Sequence, residues 1–145
     1  MPEDRTQSDE GLFGQAHVRA YRETGGERGY RWRGTTILLL TSTGRVSGQE
    51  RTTPLIFRDD DHGDAWVVVA SKGGAPDHPD WYKNLVADPQ ATLQVKSERF
   101  PVRAETAHGE ERARLWRRMT EVWPDYDQYQ QRTDREIPVV VFRRR

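Results

Sequence analysis

The sequence predicts a mainly β domain with short helices: a small barrel of about six antiparallel strands. Three observations carry that prediction. Six short runs are β-branched, continuously apolar or alternating. Several are joined by tight turns suited to hairpins, and helical periodicity is confined to three gaps between them, which is the layout of an antiparallel barrel and not of a parallel α/β sheet. The 145 residues, 34% of them hydrophobic, suffice for one compact core.

The N-terminal segment 1–11 reads as an acidic, polar tail, and 12–23 as a short helix with a poor apolar face. Gly25, Gly26 and Gly29 then break the pattern, so 1–31 is expected to be an appendage and 32–145 a single barrel domain. Segment 35–42 (TTILLLTS) is the first predicted strand, and the turn 43–48 (TGRVSG) leads into 51–58 (RTTPLIFR) as a hairpin. Pro54 marks an edge or bulge there, because it has no N–H for a ladder. After a turn at 59–64 (DDDHGD), 65–71 (AWVVVAS) is continuously apolar and therefore buried on both faces. A short helix at 79–87 puts Trp81, Leu85 and Val86 on one face and ends at Asp88-Pro89. Strands at 91–96 and 99–106 follow, then a helix at 110–122 facing Leu115, Trp116, Met119 and Val122 inward. Pro124 stops it; 125–135 is polar and partly helical, and 137–142 (IPVVVF) is the last strand before Arg143-Arg144-Arg145.

Composition removes several kinds of function. With 23 Lys+Arg against 23 Asp+Glu there is no sequence-independent attraction to a phosphate backbone, so nucleic acid is not an expected partner. No cysteine is present, which excludes thiolate chemistry and Cys-ligated metals, and His17, His62 and His108 lack metal-ligand spacing. No apolar run approaches the ~20 residues that span a bilayer. The N-terminus lacks the basic-then-apolar order of a secretory signal, which places the chain in the cytoplasm and leaves open peripheral contact of that segment with the inner face of the cell membrane. Twenty of the 23 basic residues are Arg, so a single Arg carries little information.

Three constellations offer binding groups. In 43–55, Gly44 and Gly48 permit backbone N–H groups to converge on an anion, with Arg45 and Arg51 supplying charge and Ser47 a hydroxyl. An ordinary Gly-rich hairpin with solvated arginines explains the same spacing equally well. In 70–76 (ASKGGAP), a buried strand delivers Ser71 and Lys72 to a Gly-Gly turn just before a helix, a place for a negative ligand or a close-lying ring. In 123–135, Tyr126 and Tyr129 share one helical face. No Ser-His-Asp order, catalytic carboxylate pair or phosphate-binding Walker loop appears, so a cofactor is expected to supply the chemistry.

Taken together, 38–57 (LLLTSTGRVSGQERTTPLIF), 67–85 (VVVASKGGAPDHPDWYKNL) and 123–142 (WPDYDQYQQRTDREIPVVVF) closely resemble the deazaflavin-dependent nitroreductases, the actinobacterial enzymes that use coenzyme F420. The resemblance covers about 32–142 and implies a split β-barrel related to flavin-binding barrels. It implies that Arg45, Ser47, Gly48 and Arg51 surround the coenzyme phosphate and the start of its glutamyl tail. It further implies that Thr53, Pro54 and Leu55 line the deazaflavin through their backbone, that Ala70, Ser71, Lys72, Gly73, Gly74 and Ala75 hold the ring system, and that Trp81 and Tyr82 support that loop. Tyr126 and Tyr129 resemble the family's catalytic, substrate-side tyrosines. Val46 departs from relatives that carry Lys there, and Arg132 from some that carry an aromatic residue.

The implied activity is hydride transfer from reduced coenzyme F420 to a small electron acceptor: a quinone, a nitroaromatic or an activated enone. An FMN-binding barrel of the same shape and a non-catalytic F420 carrier are the alternatives. The chain is expected to be a monomer or homodimer.

Overall fold

In the computed structural model, which describes residues 11–60 and 63–145, the chain forms a closed barrel with helices packed on its outside. His62, and all of the expected 1–11 tail but its last residue, lie outside the described residues. The barrel strands are β2 (Thr35–Thr43), β3 (Glu50–Asp59), β4 (Ala65–Val69), β5 (Gln90–Val95), β6 (Glu98–Thr106) and β7 (Val139–Arg144). These correspond to the six runs predicted from sequence. A two-residue edge strand, β1 (Arg31–Trp32), pairs with β2 and is too short to carry an alternation signal. The order is β1-β2-β3-β4-β7-β6-β5, all antiparallel, and β5 returns to β2 through Leu40↔Leu93 and its neighbours to close the barrel.

The hydropathy of each strand follows from what covers its outer face. Along β2, Leu38 and Leu40 point into the barrel with Phe57, Val68, Leu93, Val102 and Phe142. Ile37 and Leu39 point outward, where Val18 and Tyr21 of α1 (Gly14–Thr24) cover them. The outer faces of β4 and β7, through Val67, Val139 and Val141, are covered by Leu115 and Met119 of α3 (Gly109–Val122). Strands sandwiched this way read as unbroken apolar runs. By contrast, β6 buries Phe100 and Val102 and exposes Arg99, Pro101 and Arg103, so it alternates.

Helix α1 is attached by polar contacts as well as apolar ones. The buried Tyr21 hydroxyl donates to the Ile37 carbonyl at 2.9 Å and accepts from the Lys96 N–H at 2.8 Å, joining α1 to β2 and to the β5–β6 turn. Among the described residues, no helix is long and apolar enough to cross a membrane.

Candidate functional site

One seam of the closed barrel, between β3 and β4, is paired only at its end. β3 pairs with β2 over eight residues but with β4 only at Arg58↔Val67 and Asp59↔Trp66. From Glu50 to Phe57 the edge of β3 that faces away from β2 therefore lacks a strand partner. The Thr52 carbonyl points to that edge, since it accepts from the Gln15 side chain at 3.2 Å. Residues two apart on a strand present their backbone groups to the same side, so the Pro54 carbonyl points there too. Proline contributes no N–H, which leaves an acceptor at the seam without a donor beside it.

At one end of the seam lies a groove of about 490 Å³, walled by the β2–β3 turn and by α2 (Asp80–Ala87). Gly44 closes the turn: its N–H donates to the Gln49 carbonyl at 2.7 Å, and an added Cβ would lie 2.8 Å from Ser47 Oγ. Arg45 is clamped to α2, because the buried Asn84 Oδ1 accepts from its backbone N–H at 3.1 Å and from its guanidinium at 2.8 Å. Its other terminal nitrogen lies 3.5 Å from Asp80. Arg51, by contrast, has no ion-pair partner among the described residues. Val46 lines the groove and is 92% exposed.

Thr53 and Trp81 line both this groove and a second cavity of about 450 Å³, within the range of small-molecule sites. Leu55, Ser71, Lys72 and Gly73 form part of its wall, where β4 gives way to the 3-10 turn Lys72–Gly74. All three residues of that turn have positive φ (46°, 64° and 84°). Gly74 is required for a second reason: an added Cβ would lie 2.6 Å from the Tyr129 carbonyl on α4 (Asp125–Gln131). Lys72 is exposed and has no ion-pair partner among the described residues.

Tyr126 and Tyr129 complete the cavity, their rings meeting edge-on at 6.1 Å. The Trp123 indole donates to the Tyr129 hydroxyl at 3.3 Å. Tyr126 is buried, and its hydroxyl has no hydrogen-bond partner among the described residues. Burial, reinforced by Tyr129, pushes that phenol well above its ordinary pKa of 10.0, so it holds its proton at neutral pH. The opposite wall comes from the N-terminal part of the chain. Trp32 stacks on Trp123 at 5.9 Å and meets Phe13 edge-on, and the buried His17 donates through Nε2 to the Gly29 carbonyl at 2.8 Å.

Of the residues singled out from sequence, Arg45, Ser47, Arg51, Thr53, Pro54, Leu55, Ser71, Lys72, Gly73, Tyr126 and Tyr129 converge on these two connected spaces. Gly48, Ala70, Gly74 and Ala75 line neither. Gly48 sits in the open part of its turn, whereas the other three hold the 70–75 segment against its neighbours. Sequence reasoning missed Asn84, Trp32, Phe13, His17 and Trp123. Only Asn84 left a signal, four residues after Asp80 and so on the same helical face. Among the described residues no cluster of acidic or histidine side chains fits a metal.

Known proteins resemble this chain in sequence and fold. The family model described as F420H(2)-dependent quinone reductase matches residues 13–144. The F420H(2)-dependent quinone reductase Rv1261c of Mycobacterium tuberculosis (strain ATCC 25618 / H37Rv) is 45% identical over 133 residues, covering 89% of this chain and 88% of that protein. Among solved structures, an F420-H2 dependent reductase, FDR-A, aligns with a TM-score of 0.67 at 40% identity over 76% of this chain and 94% of its own. A second, described as a domain-swapped dimer, aligns with a TM-score of 0.70 at 36% identity over 88% and 93%. The match spans nearly every element that builds the groove, the seam and the cavity, and the chain belongs to the F420H(2)-dependent quinone reductase family, oxidoreductases whose coenzyme is reduced F420.

Proposed function

We propose that the groove and the cavity are one binding site, with the anionic part of reduced coenzyme F420 in the groove, its ring along the β3 seam, and a quinone against Tyr126 and Tyr129. The observation that carries this reading is the open β3 edge, flanked by cations at one end and by an aromatic cavity with an unpartnered, protonated phenol at the other. The donor set suits the coenzyme. Arg45, Arg51 and Lys72 answer phosphate and carboxylates, and the seam offers backbone groups to a planar heterocycle.

When bound, the reduced deazaflavin supplies a hydride. The chain supplies the rest. Arg45, held in place by Asn84, presents a fixed cation, whereas Arg51 and Lys72 are free to fold onto the ligand. Trp81, shared by both spaces, sets the boundary between the charged and the apolar part of the site. Stacked Trp32 and Trp123 keep water from the acceptor side. Tyr126 donates a hydrogen bond to the acceptor oxygen, where charge develops as the acceptor is reduced; a preorganised donor of that kind accounts for about 10²–10³ in rate.

Titration of the protein with coenzyme F420 and, separately, with FMN tests this reading, followed by addition of a quinone to the complex with reduced coenzyme. Saturable F420 binding and quinone-dependent oxidation are expected. Tight FMN binding with no response to F420 overturns the reading, and F420 binding without turnover of any quinone makes the chain a carrier.

A further inference from the structure

The Arg135 side chain, one of 20 arginines and invisible as a site residue in the sequence, makes an unusual set of contacts. Its guanidinium donates to three carbonyls of one short segment: Ser71 at 2.7 Å, Ala75 at 2.8 Å and Ala70 at 3.3 Å. A fourth bond, at 2.8 Å, goes to His78 Nδ1. Arginine has only donors, so His78 accepts through Nδ1 and is neutral. Arg135 is itself fixed, since its carbonyl accepts from Gln130 Nε2 at 2.8 Å and its N–H donates to Thr133 Oγ1 at 3.3 Å. From the same stretch, Arg132 reaches the Gly73 carbonyl at 3.3 Å.

These bonds determine where the opposite ends of the peptide dipoles point. In a trans peptide the N–H of the following residue lies opposite the carbonyl, and the chain has no cis bond among the described residues. With the Ala70 and Ser71 carbonyls drawn to Arg135, the N–H groups of Ser71 and Lys72 are turned away from it. Ser71 and Lys72 line the cavity, and neither N–H donates to another backbone group among the described residues.

We propose that Arg135 is a positioning residue: it holds segment 70–75 so that the Ser71 and Lys72 N–H groups present a preformed pair of donors to the coenzyme, and it ties that segment to the acceptor-side helix α4. The inference rests on the coenzyme reading above. Without Arg135 the Ala70 and Ala75 carbonyls lose their donor and the Ser71 carbonyl keeps only the Gly74 N–H at 2.9 Å, so the segment reorients before any ligand arrives. A lysine in its place keeps the charge and loses the fork.

Wild type, Arg135→Gln, Arg135→Lys and Arg58→Gln are titrated with coenzyme F420, and backbone amide exchange is followed in the coenzyme-free proteins. Arg58, which joins β3 to Glu121 and to the Arg118 carbonyl on α3, serves as the control for general destabilisation. Arg135→Gln is expected to weaken coenzyme binding 10- to 100-fold and to speed exchange of the Gly74 and Ala75 amides at least tenfold, while barrel amides such as those of Leu40 and Leu93 keep their rates. Arg135→Lys remains impaired, and Arg58→Gln binds within twofold of wild type. If Arg135→Gln does not fold, Arg135→Lys carries the same comparison. Wild-type affinity in the Arg135 variants, unchanged exchange at Gly74 and Ala75, or an equal loss in Arg58→Gln overturns the proposal. Failure of the wild type itself to bind F420 overturns the coenzyme reading instead, so the two failures are distinct.

Discussion

Replacing Gly74 by alanine separates two costs that its neighbour Gly73 keeps apart. Both residues lie at positive φ, +84° and +64°, which costs an L-residue about 1–2 kcal/mol. At Gly73 an added Cβ has nothing within 4 Å. At Gly74 it would meet the Tyr129 carbonyl oxygen at 2.6 Å, Tyr129 Cα at 3.0 Å and Arg132 Cβ at 3.1 Å. Two of those atoms are backbone, so α4 itself must move, and forced repacking of this kind adds about 1–3 kcal/mol.

Gly74→Ala is therefore expected to be less stable than Gly73→Ala by about 1–3 kcal/mol, or roughly 4–12 °C in melting temperature at about 4 °C per kcal/mol. The backbone strain is common to both variants and cancels in the comparison, as does the smaller conformational freedom of the unfolded alanine chain. Because α4 carries Tyr126 and Tyr129, Gly74→Ala also raises the KM for quinone about tenfold or more at saturating coenzyme, whereas Gly73→Ala does so by less than twofold. Thermal melts and steady-state kinetics on both variants provide the check. Equal melting temperatures, or an unchanged quinone KM in a destabilised Gly74→Ala, refute the claim that the turn and α4 are packed as one unit.

Four further outcomes are expected. Tyr126→Phe leaves the melting temperature nearly unchanged, because its hydroxyl has no partner to lose among the described residues, and lowers quinone turnover about 10²-fold; rapid-mixing kinetics measure it, and wild-type turnover removes the phenol from the mechanism. Arg51→Ala and Lys72→Ala each weaken coenzyme binding by about one to two decades, the range of charge-assisted bonds, and the loss narrows as salt rises; titrations at two ionic strengths show it, and wild-type binding at low salt contradicts the anion-site assignment. Val46→Lys tightens binding of long-tailed coenzyme more than short-tailed coenzyme while saturated turnover stays put, since a tail contact is the same in ground and transition states; an equal gain for both tails means that this residue does not face the tail. His78 has its pKa lowered from 6.5 by burial first and then by Arg135 and Lys83, with Asp77 opposing. Its contribution to stability is thus present above pH 6.5 and lost as pH falls below that value, so wild type loses stability relative to His78→Asn across that window, and parallel melting curves contradict the neutral acceptor role.

The barrel was legible because burial on one or two faces leaves different hydropathy patterns, and β2, β4 and β7 differ from β6 in that respect. Helix α1 was harder to read. Two of its buried residues are His17 and Tyr21, which hydropathy counts as polar but which bury their rings and satisfy their polar atoms with the Gly29 and Ile37 carbonyls. Its covering of Ile37 and Leu39 explains in retrospect why TTILLLTS has no polar face.

In the site, the legible part was local and the illegible part was long-range. Gly44, Arg45, Ser47 and Arg51 lie within one hairpin, and Ser71, Lys72 and Gly73 within one short segment after β4, so spacing alone grouped them. Trp32 and Trp123 meet across most of the chain, and Arg135 reaches back more than 60 residues to Ser71, a distance over which no periodicity operates. Gly74 shows why a motif can be read correctly and explained incompletely. A Gly-Gly pair after a buried strand suggests room for a ligand, and Gly73 does line the cavity. Gly74 faces the other way, against the Tyr129 backbone, so its missing side chain makes room for α4 and only through α4 for the acceptor. The second glycine of the pair therefore places the tyrosines, a role that depends on a helix some 50 residues further along the chain.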